Sequence, residues 1–231
     1  MARVHPVRVA VAGATGLVGR ALLARLAVDP RIGSITALVR QPAALAGQPA
    51  AVIPLVVDYR TLADGAGLPA IDWAFCALGT TIKTAGSQAA FRAVDADAVL
   101  AFAKAARAAG ATRMGVVSAM GADASASVFY NRVKGEVEQT LAAQGWPQLV
   151  IARPSLLLGA RTALGQASRP MESLAQRLMP AVGWLIPRQL RPIQADAVAA
   201  ALVSAVATPA DGVSILLSGE LQSLADRTVR R

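Results

Sequence analysis

Short apolar runs rich in β-branched residues alternate along this chain with Ala/Leu-rich stretches at helical spacing. Val7–Ala12 (VRVAVA) runs into a glycine and predicts a strand. Gly16–Val28 predicts a helix, with Leu17, Leu22, Leu23 and Leu26 near one face. Ser34–Val39, Ala51–Val57 and Trp73–Leu78 predict three more strands; Pro54 marks an entry kink or an unpaired position in the second of them. Ser87–Ala109 reads as one long Ala-rich helix closed by Gly110. A strand at Met114–Val117, a helix at Phe129–Ala143 ended by Gly145 and Pro147, and a strand at Leu149–Ala152 follow. Val213–Leu217 reads as a seventh strand.

Near-continuous apolar strands separated by helices are buried on both faces, which predicts an α/β fold with a parallel sheet covered by helices. At about 150 residues per domain, the 231 residues are read as one domain, 1–231, with a core over 5–154. The Pro- and Gly-rich stretch of about 155–192 is read as an excursion that covers a substrate. Met171, Leu174, Leu178 and Trp184 form its apolar side, and the same spacing suits a core helix, a dimer seam or a membrane surface.

Composition narrows the chemistry. Apolar residues are 55% of the chain and charged ones 16%, too oily for disorder. One Cys (Cys76) and one His (His5) leave no material for a disulfide scaffold, a zinc site or a histidine-based triad. Cys76, within an apolar strand, reads as a buried small side chain rather than a nucleophile. The net charge of +9 comes from 20 Arg and three Lys against 14 acids. These cations are scattered, so no specific nucleic-acid binding is expected; an anionic small molecule suits them equally. The N-terminus lacks a signal-like apolar region, and Ala197–Ala207 is too short to span a bilayer. The expectation is a cytoplasmic protein without a membrane span, with a homodimer allowed.

Gly13-Ala-Thr15-Gly16-Leu17-Val-Gly19 joins the first strand to the first helix. A first glycine permits the tight turn, a second lets backbone approach a pyrophosphate, and a third lets the helix pack close to the sheet. The helix N-terminus offers unpaired amides and a positive dipole end to the anion. A tight turn without ligand is the alternative. Arg40 ends the second strand where an NAD-type site has a carboxylate; a guanidinium there favours a 2′-phosphate, so NADP is expected over NAD. A solvated strand-end charge is the alternative. Asp58 and Tyr59 are placed to touch the adenine ring, or to form an Asx turn. Leu78, Gly79 and Thr80, after the fourth strand, are expected to pass along the cofactor. Arg153 is expected beside the nicotinamide carboxamide or in a structural ion pair.

Tyr130 and Lys134 lie four apart on a predicted helix and share a face. A phenol beside an ammonium is suited to move a proton to or from a carbonyl oxygen during hydride transfer. Ser118, at the end of the fifth strand, supplies a hydroxyl for the same oxygen, or caps a turn. The catalytic candidates are therefore Ser118, Tyr130 and Lys134. The cofactor candidates are Gly13, Thr15, Gly16, Leu17, Gly19, Arg40, Asp58, Tyr59, Leu78, Gly79, Thr80, Lys134 and Arg153. No metal site is expected.

Gly13–Gly19, Cys76-Ala-Leu-Gly-Thr-Thr81, Ser118, Phe129-Tyr-Asn-Arg-Val-Lys-Gly-Glu-Val-Glu138 and Arg153-Pro154 together resemble the oxidoreductase family of the HIV Tat-interacting protein homologues. These are atypical short-chain dehydrogenase/reductases. The resemblance covers residues 7–160 and implies a Rossmann-like doubly wound sheet with a small C-terminal substrate region. It places Ser118, Tyr130 and Lys134 on the superfamily's catalytic trio. It departs at Val94-Asp95, where extended members often carry Asn. The activity it implies is NADP(H)-dependent oxidation or reduction of a carbonyl/alcohol substrate. A non-catalytic NADPH-sensing regulator and a sugar-nucleotide epimerase or dehydratase are the alternatives.

Overall fold

A computed structural model describes residues 5–41, 45, 47–62, 67–158 and 187–229. Seven strands form one parallel sheet: β1 (Val7–Ala12), β2 (Ile32–Val39), β3 (Val52–Val56), β4 (Trp73–Cys76), β5 (Arg113–Val117), β6 (Gln148–Arg153) and β9 (Gly212–Leu217). Their spatial order is β3-β2-β1-β4-β5-β6-β9. The order reverses between β1 and β4, so a crevice opens beyond the carboxyl ends of these two strands. β7 (Leu157–Leu158) and β8 (Ile193–Gln194) form a separate two-stranded parallel pair.

The doubly wound sheet follows from β1 itself. Val9 and Val11 point into one apolar layer, Ala10 and Ala12 into the other, and all four are fully buried. The first layer is closed by α1 (Leu17–Leu26), α6 (Ala195–Ala207) and α7 (Ser218–Val229). The second is closed by α3 (Gln88–Arg92), α4 (Ala98–Ala108) and α5 (Phe129–Ala143), with Phe75, Phe91 and Phe102 completely buried. Leu22, Leu23 and Leu26 of α1 are also fully buried, each stabilising by about 2 kcal/mol. Pro54 lies on β3, an edge strand, where its missing N–H is tolerated.

The predicted helix at 87–109 is interrupted. After the short α2 (Ile82–Ala85), α3 begins under a Ser87 hydroxyl that accepts the Ala90 amide. Residues Ala93–Asp97 then form one π-helical turn before α4. Two further helices, α6 and α7, are absent from the sequence reading. Val198–Val203 of α6 are all buried, because α6 lies between the sheet, α1 and α7; no polar face marks it as a helix. The expected cover at 155–192 lies mostly outside the described residues.

Candidate functional site

The glycine turn is built by two close approaches. Gly13 adopts φ +79°, and a Cβ there would lie 2.4 Å from the Ala77 carbonyl carbon. This contact joins the end of β1 to the loop after β4. A Cβ on Gly19 would lie 2.0 Å from the Gly13 carbonyl oxygen, so α1 packs onto the turn only with glycine there. Gly16 is different. Its φ of −78° suits any residue, and a Cβ would meet nothing nearer than 3.4 Å. Neither conformation nor internal packing requires glycine at 16, and no side chain caps the helix it opens. The bare amides of α1 thus face an approach kept clear of side chains, which fits a diphosphate. Thr15 uses its carbonyl to accept from the Arg20 guanidinium at 3.2 Å. Leu17 packs against the first core layer.

The outer residues divide. Arg40 is exposed at the end of β2 and makes no ion pair among the described residues, which leaves it able to receive a phosphate. Asp58 is held by Arg60 in a two-residue ion pair, which lowers its carboxyl to about 2. Tyr59 is half-buried, with its hydroxyl against the Gly13 amide; burial pushes that phenol up. Tyr59 therefore reaches the base of the glycine turn.

At the carboxyl end of β5, Ser118 is 8% exposed, and its Oγ has no hydrogen-bond partner among the described residues. A buried hydroxyl without a partner is costly unless another group satisfies it. Tyr130 stands in the first turn of α5, half-buried, with its ring 5.5 Å from that of Phe91. One turn on, Lys134 is 5% exposed and interacts electrostatically with Tyr130. Burial alone would lower the Lys134 ammonium, but the Asp95 carboxylate, joined by Tyr130 and Cys76, more than offsets this and holds it above the ordinary lysine value. Asp95, fully buried in the π-helical turn, places Oδ1 2.7 Å from Lys134 Nζ. Its Oδ2 accepts the Thr80 amide at 2.7 Å. Gly79 lies directly over this pair: a Cβ there would be 3.5 Å from Asp95 Oδ1 and 4.0 Å from Lys134 Nζ. Leu78 packs toward the second core layer.

Of the two roles open to Arg153, the structure displays the ion pair. Its Nε and Nη2 both reach Glu138, at 3.1 and 2.5 Å. Glu138, one turn beyond Lys134, is 6% exposed. Asp95 and Glu138 were both missed as partners. The signal for Asp95 was present: Phe91, Asp95, Val99, Phe102 and Ala106 make one buried helical stripe, and a carboxylate inside such a stripe demands a buried cation. No metal-ligating cluster and no helix long and apolar enough to cross a membrane occur among the described residues.

Comparison with known proteins agrees with this geometry. A family model described as NAD(P)H-binding matches residues 13–157. The mitochondrial protein fmp52 of Emericella nidulans is 36% identical over 182 residues, 76% of each chain. Protein HTATIP2 of Rattus norvegicus is 36% identical over 171 residues, 72% of this chain and 68% of that one. The solved structure of the Bordetella bronchiseptica enzyme WbmG in complex with NAD matches in fold, with a TM-score of 0.67 at 16% identity, over 100% of this chain and 79% of that one. The word mitochondrial in the fungal name sits against the expected cytoplasmic location. A glycine turn at the reversal point of a seven-stranded parallel sheet, carried on a sequence matched from its first glycine onward, shows that the chain belongs to the NAD(P)H-binding family, as a relative of the fmp52 and HTATIP2 proteins.

Proposed function

We propose that the protein is an NADP(H)-dependent oxidoreductase acting on a carbonyl/alcohol substrate. The observation that carries this reading is the buried, charged Lys134 beside Tyr130, near the loop after β4 that also packs on the glycine turn. In this reading Gly13, Thr15, Gly16, Leu17 and Gly19 receive the diphosphate on the amides of α1. Arg40 takes the 2′-phosphate that separates NADP from NAD. Asp58 and Tyr59 border the adenosine end, and Leu78, Gly79 and Thr80 line the path beneath it. Arg153, held by Glu138 at the end of β6, stands at the nicotinamide end.

When bound, NADPH would supply hydride to a carbonyl carbon, and NADP would accept it in the reverse direction. The chain's own work concerns the substrate oxygen. Ser118 donates its hydroxyl, which has no partner among the described residues, to that oxygen and fixes its position. Tyr130 gives the oxygen its phenolic proton during reduction and takes it back during oxidation. Lys134 holds a positive charge next to the phenolate left behind and faces the ribose side of the crevice. Positioning, a donor aimed at the oxygen and a matched proton source are what hydride transfer requires of the protein.

The test is Tyr130→Phe in the full chain, followed by NADPH fluorescence and by NADPH consumption over a panel of aldehydes and ketones. Cofactor affinity should stay within a few-fold while turnover falls about a hundredfold or more. Unchanged turnover in Tyr130→Phe removes the proposed chemistry. Tight NADPH binding with no turnover in the parent, together with a protein partner captured only in NADPH, establishes the regulator instead.

A further inference from the structure

We propose that Asp95 is a positioning residue of this site, a buried counter-charge that keeps Lys134 protonated and aimed into the crevice while pinning the loop at Thr80. The inference rests on reading Lys134 as the ammonium that faces the cofactor, and it adds a residue that the catalytic trio does not contain. Three observations converge on one carboxylate. Its Oδ1 is 2.7 Å from Lys134 Nζ, and both side chains are almost wholly buried, at 1% and 6% exposure. Its Oδ2 accepts the Thr80 amide at 2.7 Å. It sits in the single π-helical turn of the described chain, in the middle of an otherwise apolar stripe.

A buried ion pair seldom stabilises a fold more than a well-packed apolar pair of the same volume, so its presence asks for another reason. π-Helical turns within α-helices also gather at functional sites. Here the carboxylate ties together two pieces of chain that both border the crevice, the loop after β4 and the catalytic helix α5. It also answers the desolvation of Lys134. The other charged or titratable groups around Lys134 are few. Cys76 on β4 is buried as a neutral thiol, and Tyr130 and Glu138 share α5 with the lysine. Glu138 is taken by Arg153 of β6, which also feels Asp123 of the loop before α5. Arg92 at the end of α3 pairs with Glu136. Asp95 is thus the carboxylate in direct contact with the ammonium.

The chain's three lysines make the test direct. A 13Cε-lysine NMR spectrum has three signals, and the one missing from Lys134→Met is Lys134. In the parent this signal should titrate above the ordinary lysine range. In Asp95→Asn, which keeps the side-chain shape and an acceptor for Thr80, burial loses its largest offset, and the midpoint should fall. NADPH affinity, followed by fluorescence, should then be within threefold of the parent at pH 7 and about tenfold weaker at pH 9.5, where the parent is flat. An unmoved Lys134 midpoint in folded Asp95→Asn overturns the proposal. So does a shifted midpoint with pH-independent NADPH binding. Should Asp95→Asn fail to fold, Asp95→Asn/Lys134→Met removes the stranded charge as well. Recovery of folding in the double variant supports the proposal, and failure of both assigns Asp95 a purely structural role and overturns it. A parent that binds neither NADPH nor NADH removes the functional reading, and the lysine titration, which needs no nucleotide, tells that failure apart.

Discussion

The Cβ that Gly19 lacks would stand 2.0 Å from the carbonyl oxygen of Gly13, closer than any side chain comes to backbone. Gly19→Ala must therefore push α1 off the turn, and a loss of about 3 kcal/mol or more is expected, read as a fall in Tm. Gly16→Ala meets no such obstacle. As the residue that opens α1 it should cost only about 1 kcal/mol, while its methyl occupies the approach to the α1 amides and weakens NADPH at least tenfold. Thermal unfolding and NADPH titration on both variants separate packing from binding. Normal affinity in Gly16→Ala would take the diphosphate away from this turn.

Ser118 makes the opposite kind of prediction. Its Oγ is buried and satisfied by nothing in the described chain. Among the described residues, Ser118→Ala breaks no side-chain hydrogen bond and removes an unpaired polar atom. Stability should be unchanged or higher by up to about 1 kcal/mol in urea unfolding. Turnover of any substrate found should fall about a hundredfold, as for the loss of one donor to a reacting oxygen. A variant that is destabilised and fully active would make the hydroxyl structural.

Much of this was written in residue order, and what was hidden depended on contacts between distant segments. The strands were legible because apolar runs such as Val9–Ala12 are buried on both faces. Tyr130 and Lys134 were legible because four residues is one helical turn. Ala195–Ala207 was not, because being buried on nearly every side erased its periodicity. The partner of Lys134 lies 39 positions earlier, on another helix, and spacing carries no information about that contact. Arg153 likewise meets Glu138 only where β6 passes α5. The π-helical turn has no sequence marker that separates it from the helices on either side.

On the proposed reading, Arg40 carries the coenzyme choice. It is exposed and unpaired among the described residues, so removing it should leave the fold untouched. A charge-assisted hydrogen bond to a phosphate is worth about 1.5–3 kcal/mol. Arg40→Ala should weaken NADPH by roughly ten- to a hundredfold and leave NADH within about threefold, measured by calorimetry at fixed ionic strength. Equal losses for both coenzymes would mean that Arg40 stacks on a shared part of the nucleotide instead of reading the 2′-phosphate.

Alkaline stability reports on Cys76. Burial, reinforced by the Asp95 charge, pushes its thiol from the ordinary 9.0 to about 11, although the Leu78 amide and Lys134 pull the other way. The folded value is raised, so the contribution to stability is complete below pH 9 and is lost as pH climbs toward 11. Over that window the unfolded chain releases the proton and the folded one keeps it. The loss amounts to about 1 kcal/mol at pH 10. Cys76→Ala has no thiol to ionise. It should be less stable than the parent at pH 8 by about 1–2 kcal/mol, from the lost sulfur contacts. That deficit should shrink by about 1 kcal/mol at pH 10. Lys134 and Tyr59 remain in both proteins, so urea unfolding of the pair isolates the thiol. Parallel stability curves from pH 8 to pH 10 would place Cys76 in a setting wet enough to ionise, and would open the floor of the crevice, next to Lys134 and Asp95, to water.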